Sequence, residues 1–222
     1  MKKRPLIINF KNYEEAASSA AACVKLAKAA QKVAERLGVE IIVVPPQPAL
    51  ALVAKSVTIP VFCQHVDSEK TGSTTGFFVP EIAKAFGAKG SLVNHSEHRI
   101  EPKSIAAIVE RMQALGMTSV VCARTSHEVM EMSVFKPDYV AIEPPELIGS
   151  GKAVSKENPA IITKSIEAAG NRTKVICGAG ITDNTDVKAA IKLGSQGILV
   201  ASGIVKAESW ADKIAELASG MK

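Results

Sequence analysis

A chain of 222 residues, 47% apolar but only 4% aromatic, is long enough for one large core packed with Ile, Val, Leu and Ala in layers rather than with stacked rings. Its net charge of +5 is spread singly along helical segments, as at Lys25, Lys28, Lys32 and Arg36, and with so few rings to stack bases it argues against nucleic-acid binding. The basic balance suits solvated helix faces and the steering of a small anion. Cys23, Cys63, Cys122 and Cys177 lie far apart in apolar runs, with neither disulfide-framework nor metal-ligand spacing, and read as buried thiols of a reduced, cytosolic protein. Five residues precede the first apolar run without a signal-peptide core, and no run approaches membrane-spanning length, so no membrane partner is expected.

In chain order the short apolar runs are 6–8, 41–44, 61–63, 91–93, 120–122, 139–142, 175–177 and 198–200. They are continuously apolar rather than alternating, the pattern of strands buried on both faces of a parallel sheet. Helical segments separate them. Residues 14–37 place Ala20, Cys23, Val24, Ala27, Val33 and Leu37 on one face and stop at Gly38. Residues 102–115 open with Pro102 and close at Gly116, and residues 185–194 follow Thr182-Asp183-Asn184 and stop at Gly194. A last helix around 210–217 covers the chain end. Strand and helix alternate with a spacing of roughly 27 residues, which predicts an α/β fold: a single (β/α)8 barrel occupying 1–222 as one domain. Segments 125–135 and 156–169 look short, so one or two outer helices are expected to be shortened there to turns. An open doubly wound sheet gives no reason for eight units, and no GxGxxG follows the first strand.

In such a barrel the catalytic face lies at the C-terminal ends of the strands. Polar residues fall there: Asn9 and Lys11, then Gln64 and His65, then Asn94, His95 and Glu97, then Glu143. Two small-residue loops, Cys177-Gly178-Ala179-Gly180 and Ala201-Ser202-Gly203, follow the last two strands and suit a phosphate dianion held by backbone N–H groups. Either loop alone reads as a tight turn; His95, Lys11 and Glu143 singly read as a strand-closing histidine, a surface lysine and a helix cap. Together at one rim they supply a base, an imidazole and a cation, the parts needed for proton abstraction beside a carbonyl. A Schiff-base role for Lys11 and a sugar-phosphate-binding barrel without catalysis are the competing readings. Glu97 and a bound phosphate would keep Lys11 charged, against the first; an intact set of Asn9, Lys11, His95, Glu97 and Glu143 argues against the second.

Asn9-Phe10-Lys11, Asn94-His95-Ser96-Glu97, Ala141-Ile142-Glu143-Pro144, Gly149-Ser150-Gly151-Lys152 and Leu199-Val200-Ala201-Ser202-Gly203 resemble triosephosphate isomerase in order and spacing, and most closely its compact archaeal-type branch. The resemblance implies a TIM barrel interconverting dihydroxyacetone phosphate and glyceraldehyde 3-phosphate, with no metal or organic cofactor. That enzyme is itself the type case of a glutamate base and neutral histidine electrophile beneath a closing loop, so these roles come with the resemblance. By matching positions, Glu143 is the base, His95 the electrophile, Lys11 and Asn9 bind and polarise substrate, and Glu97 orients Lys11. Ile148, Gly149, Gly180, Ala201 and Ser202 offer N–H groups to the phosphate, and 144–155 form the lid. Thr74-Thr75-Gly76 matches the loop that reaches a neighbouring subunit, implying a homotetramer or else a homodimer; Phe77 and Phe78 beside it would otherwise expose an apolar patch. The chain departs from the commonest family pattern at several points. Pro145-Glu146 lacks a tryptophan, Cys177 stands where a lid-latching tyrosine is common, Ala201-Ser202 replaces Gly-Gly, and Gly180 replaces serine.

Overall fold

The computed structural model describes residues 4–147 and 157–221. Eight parallel strands follow one another round a sheet: β1 (Leu6–Asn9), β2 (Ile41–Val44), β3 (Phe62–Cys63), β4 (Gly90–Val93), β5 (Thr118–Ala123), β6 (Tyr139–Ile142), β7 (Lys174–Cys177) and β8 (Ile198–Val200). First and last strands pair in parallel, Leu6 with Ile198 and Ile8 with Val200, and β1 also pairs with β2. The remaining gap is closed where Val43 bridges Val61 and donates its N–H to Pro60 O at 3.1 Å. The chain folds as a (β/α)8 barrel.

Successive side chains of a strand point to opposite faces, and the core divides accordingly. Ile7, Ile42, Phe62, Leu92, Val120, Ala141, Ile176 and Leu199 form one cluster drawn from the strands, filling the barrel. Their neighbours Leu6, Ile8, Val43, Val93, Val121 and Val140 belong to the larger cluster under the helices. This double burial explains why the runs are continuously apolar. Continuing the inward alternation two residues past Ile7, Phe62, Leu92, Ala141, Ile176 and Leu199 gives Asn9, Gln64, Asn94, Glu143, Gly178 and Ala201. Polar and small residues thus take over the inward positions where the strands end.

The segment 14–37 is two helices, α1 (Glu14–Ala17) and α2 (Ala20–Leu37). Ser19 divides them: its backbone is extended and its hydroxyl accepts the Ala22 N–H at 3.1 Å, an N-cap that competes with helix continuation. After α3 (Leu50–Ser56) comes α4 (Pro80–Ala85), then α5 (Pro102–Ala114), α6 (Ser126–Ser133), α7 (Pro159–Ala169), α8 (Asn184–Lys192), α9 (Ser202–Val205) and α10 (Trp210–Ser219). Shortened outer helices are present, but not within 125–135 and 156–169. There Thr125 caps α6 through the Glu128 N–H, and Pro159 starts three turns of α7. Shorter than either are α3 and α4, the latter started by Pro80 and ended before Gly87, whose φ of +101° leaves the helical region, and the single-turn α1 and α9. Asp183 and Asp186 form a reciprocal capping box at α8. Trp210 donates its indole N–H to Val205 O at 2.9 Å, which seats α10 against the preceding turn. Among the described residues no helix is long and apolar enough to cross a membrane.

Candidate active site

At the end of β1 the chain makes a turn held by one local and one long-range hydrogen bond. Lys11 has a left-handed backbone, φ 47°, unusual for a residue with a Cβ. Asn9 Oδ1 accepts the Lys11 N–H at 2.9 Å, and Gln64 Nε2 donates to the Lys11 carbonyl at 2.9 Å. The backbone is therefore gripped on both sides, from β1 and from the loop after β3. The lysine side chain, 11% exposed, extends to Glu97 with Nζ and Oε1 2.7 Å apart.

His95, beyond β4, is buried. Its Nδ1 accepts the backbone N–H of Glu97 at 3.2 Å. A ring nitrogen that accepts carries no proton, so the neutral ring bears its hydrogen on Nε2. Nε2 faces Glu143 Oε1 at 3.6 Å, longer than a hydrogen bond and close enough for both groups to border one small molecule.

Glu143 ends β6. Its N–H bonds to Ala123 O at 2.8 Å, and Gly178 N–H bonds to Ile142 O at 3.0 Å, so the residue is fixed between β5 and β7. The side chain is 5% exposed, and Oε2 is buried with no hydrogen-bond partner among the described residues. Two thiols lie close enough to feel its charge. Burial first, and then the Glu143 charge, push Cys122 well above its ordinary pKa; burial likewise pushes Cys177 up to about 12. Both thiols are therefore neutral at physiological pH. Gly178 is a steric requirement: a Cβ there would lie 2.5 Å from Glu143 Cγ.

Asn9, Lys11, His95 and Glu143 border a cavity of about 200 Å³ whose opposite wall is the loops 178–182 and 200–203. That volume is below the range of drug-sized ligands and suits a small metabolite. The loops touch: a Cβ on Gly203 would lie 2.7 Å from the Ile181 carbonyl oxygen. Their approach puts the first N–H groups of α9, which have no carbonyl a turn behind them, beside the cavity.

Of the residues singled out from sequence, Asn9, Lys11, His95, Glu143, Gly180, Ala201 and Ser202 border this one cavity. Glu97 stands outside it, bound to Lys11, with its side chain 60% exposed. Ile148 and Gly149, with most of the lid, lie outside the described residues. The grip of Gln64 on Lys11, the Gly178–Glu143 contact and the placement of Cys122 had no signal in the sequence, because each joins residues from different strands.

Behind the rim, Glu128 of α6 gathers two arginines, Arg99 Nη2 at 2.8 Å and Arg124 Nε at 2.7 Å. Burial alone would raise its pKa; hydrogen bonds from the Arg124 side chain and N–H, with Arg99, outweigh that and hold it at about 2. Because the folded pKa lies below the unfolded value near 4.5, this stabilisation is full above pH 5 and lost as pH falls towards 2. Glu128→Gln should remove stability on the order of 2 kcal/mol at pH 7 and flatten the acid limb of urea midpoints between pH 5 and 2. A parallel acid limb in wild type and variant would show that the cluster contributes nothing.

An α/β barrel with carboxylate, imidazole and ammonium converging on a metabolite-sized cavity is the framework of an enzyme acting by proton transfer. The family described as Triosephosphate isomerase matches residues 5–217. The chain is 50% identical over 218 residues to the "Triosephosphate isomerase" of Cenarchaeum symbiosum, covering 97% of each chain. It is 46% identical over 221 residues to that of Caldivirga maquilingensis (98% and 97% covered) and 44% over 223 residues to that of Methanobacterium bryantii (99% and 98%). The chain belongs to the triosephosphate isomerase family. It is an aldose–ketose isomerase that interconverts dihydroxyacetone phosphate and D-glyceraldehyde 3-phosphate, a step of glycolysis and gluconeogenesis.

Proposed function

We propose that Glu143 is the base of this isomerisation, His95 the electrophile and Lys11 the cation of the site. The carboxylate takes a proton from the carbon beside the carbonyl, while His95 Nε2–H donates to the carbonyl oxygen as it gains charge. In the resulting enediol(ate) the proton of the original hydroxyl passes through His95 to the former carbonyl oxygen, and Glu143 returns the carbon proton to the adjacent carbon, so both protons are recovered and no atom is gained or lost. Lys11, oriented by Glu97, and Asn9 bind substrate and hold the developing negative charge. Gly180, Ala201 and Ser202, joined by Ile148 and Gly149 of the lid, take the phosphate by their N–H groups. The observation that carries this reading is the carboxylate–imidazole pair, 3.6 Å apart across a cavity that Lys11 also borders. A coupled assay on the purified protein should record turnover of both triose phosphates without added metal; no turnover in either direction would overturn it.

We also place the protein in the cytoplasm, as four buried free thiols suit a reducing compartment. One domain accounts for the whole chain. Its assembly is a homotetramer, with a homodimer as the alternative, formed through the exposed loop carrying Thr75. Asp67 anchors the foot of that loop, accepting the Phe78 N–H at 2.5 Å, while Phe77 at the tip side is 47% exposed. A second apolar surface, Met130 and Val134 on one side of the molecule, offers a further contact. Sedimentation should give a species four chains in mass, and Thr75→Arg a smaller one; a single-chain mass for the wild type would remove the assembly.

A further inference from the structure

We propose that Asn94 is a positioning residue that turns His95 into the active-site cavity, an inference that rests on the electrophile role given to His95 above. Strand alternation is the starting point. Leu92 points into the barrel and Val93 outward into the cluster under the helices. If β4 simply continued, residue 94 would face inward and His95 outward, away from substrate. Yet His95 borders the catalytic cavity and faces Glu143. The change of direction happens at Asn94, whose φ is 61°.

A left-handed backbone at a residue with a Cβ is uncommon, and asparagine is among the side chains that adopt it most readily. Here the amide also fixes the turn. Asn94 is buried, and Nδ2 donates to Cys122 O on β5 at 3.0 Å, one rung beyond the last backbone pairing of Val93 with Val121. Oδ1 accepts the Ile100 N–H at 3.1 Å, closing residues 94–100 into a ring. Inside that ring His98 N–H bonds to His95 O at 2.8 Å, and Glu97 N–H meets His95 Nδ1. The one side chain therefore holds both ends of the segment that sets the ring direction of His95 and the tautomer it presents. A glycine could take the same φ, but it would leave both amide bonds unmade.

The test is a double-mutant cycle of Asn94→Gly and His95→Gln on the full chain, with steady-state kinetics, urea unfolding and ¹⁵N spectra of the histidine ring. N94G should stay folded and lower kcat about 10- to 100-fold with KM within about threefold, since misplacement of a catalytic group costs rate rather than binding. The His95 Nδ1 resonance should shift as its acceptor contact loosens. In the H95Q background the same change should cost less than about threefold, because a positioning residue has nothing left to position. Unaltered kcat in N94G, or an equal loss in both backgrounds, would overturn the proposal. Should N94G fail to fold, Asn94→Asp, which keeps the acceptor for Ile100 and loses the donor to Cys122, carries the same cycle. A wild-type rate in H95Q alone would instead overturn the role of His95, and with it the route by which Asn94 acts.

Discussion

Glu143→Gln is expected to lower kcat for either triose phosphate roughly 10³- to 10⁴-fold while leaving the unfolding temperature unchanged or higher. The variant is nearly isosteric, so the packing against Gly178 is preserved, but an amide cannot accept the substrate proton. Its effect on stability follows from burial. A carboxylate with one oxygen buried and without a partner among the described residues is costly to the folded state, and a neutral side chain relieves that cost. Glu143→Asp retains the base but withdraws it by one methylene, and about 10²-fold should be lost. Coupled assays and calorimetry on the two variants check both halves. If Gln retained more than a tenth of the wild-type rate, another group would have to be the base.

Gly178→Ala should lower kcat about 10²-fold and reduce stability by about 1–3 kcal/mol. Gly178 is not among the residues of positive φ, so alanine brings no backbone strain. The effect is steric: the new Cβ would meet Glu143 Cγ at 2.5 Å and Cδ at 3.1 Å, and the carboxylate must move. Combining it with Glu143→Ala separates the causes. Alanine has no Cγ or Cδ for the added methyl to meet, so the double variant should lose less than the product of the single losses. Multiplicative losses would mean that Gly178 acts on the phosphate loop rather than on the base.

The barrel was legible because its strands are buried on both faces, leaving uninterrupted Ile and Val runs that cannot be confused with a half-exposed sheet. Outer helices were less so. Residues 125–135 look too short for an outer helix, yet Thr125 caps α6 there. At 14–37 the reverse happened, and Ser19 inside an apolar pattern ended one helix and started another. In the site, Asn9 and Glu143 could be placed from chemistry and position, since each continues the inward alternation of its strand. His95 does not, and only the φ of Asn94 shows how it comes to face the cavity. Contacts between the ends of different strands, such as Gln64 after β3 with Lys11 after β1, join residues far apart in sequence and have no local trace.

The pairing of β1 with β8 also bears on how the protein is made. Asn9 and Lys11 are made well before Ala201 and Ser202, which stand across the same cavity. Until Ile198 meets Leu6, the first strand has an unpaired edge and the cavity lacks a wall. With the site proposed above, catalysis and closure of the barrel arrive in the same event, and loss of the β1–β8 pairing should remove turnover altogether.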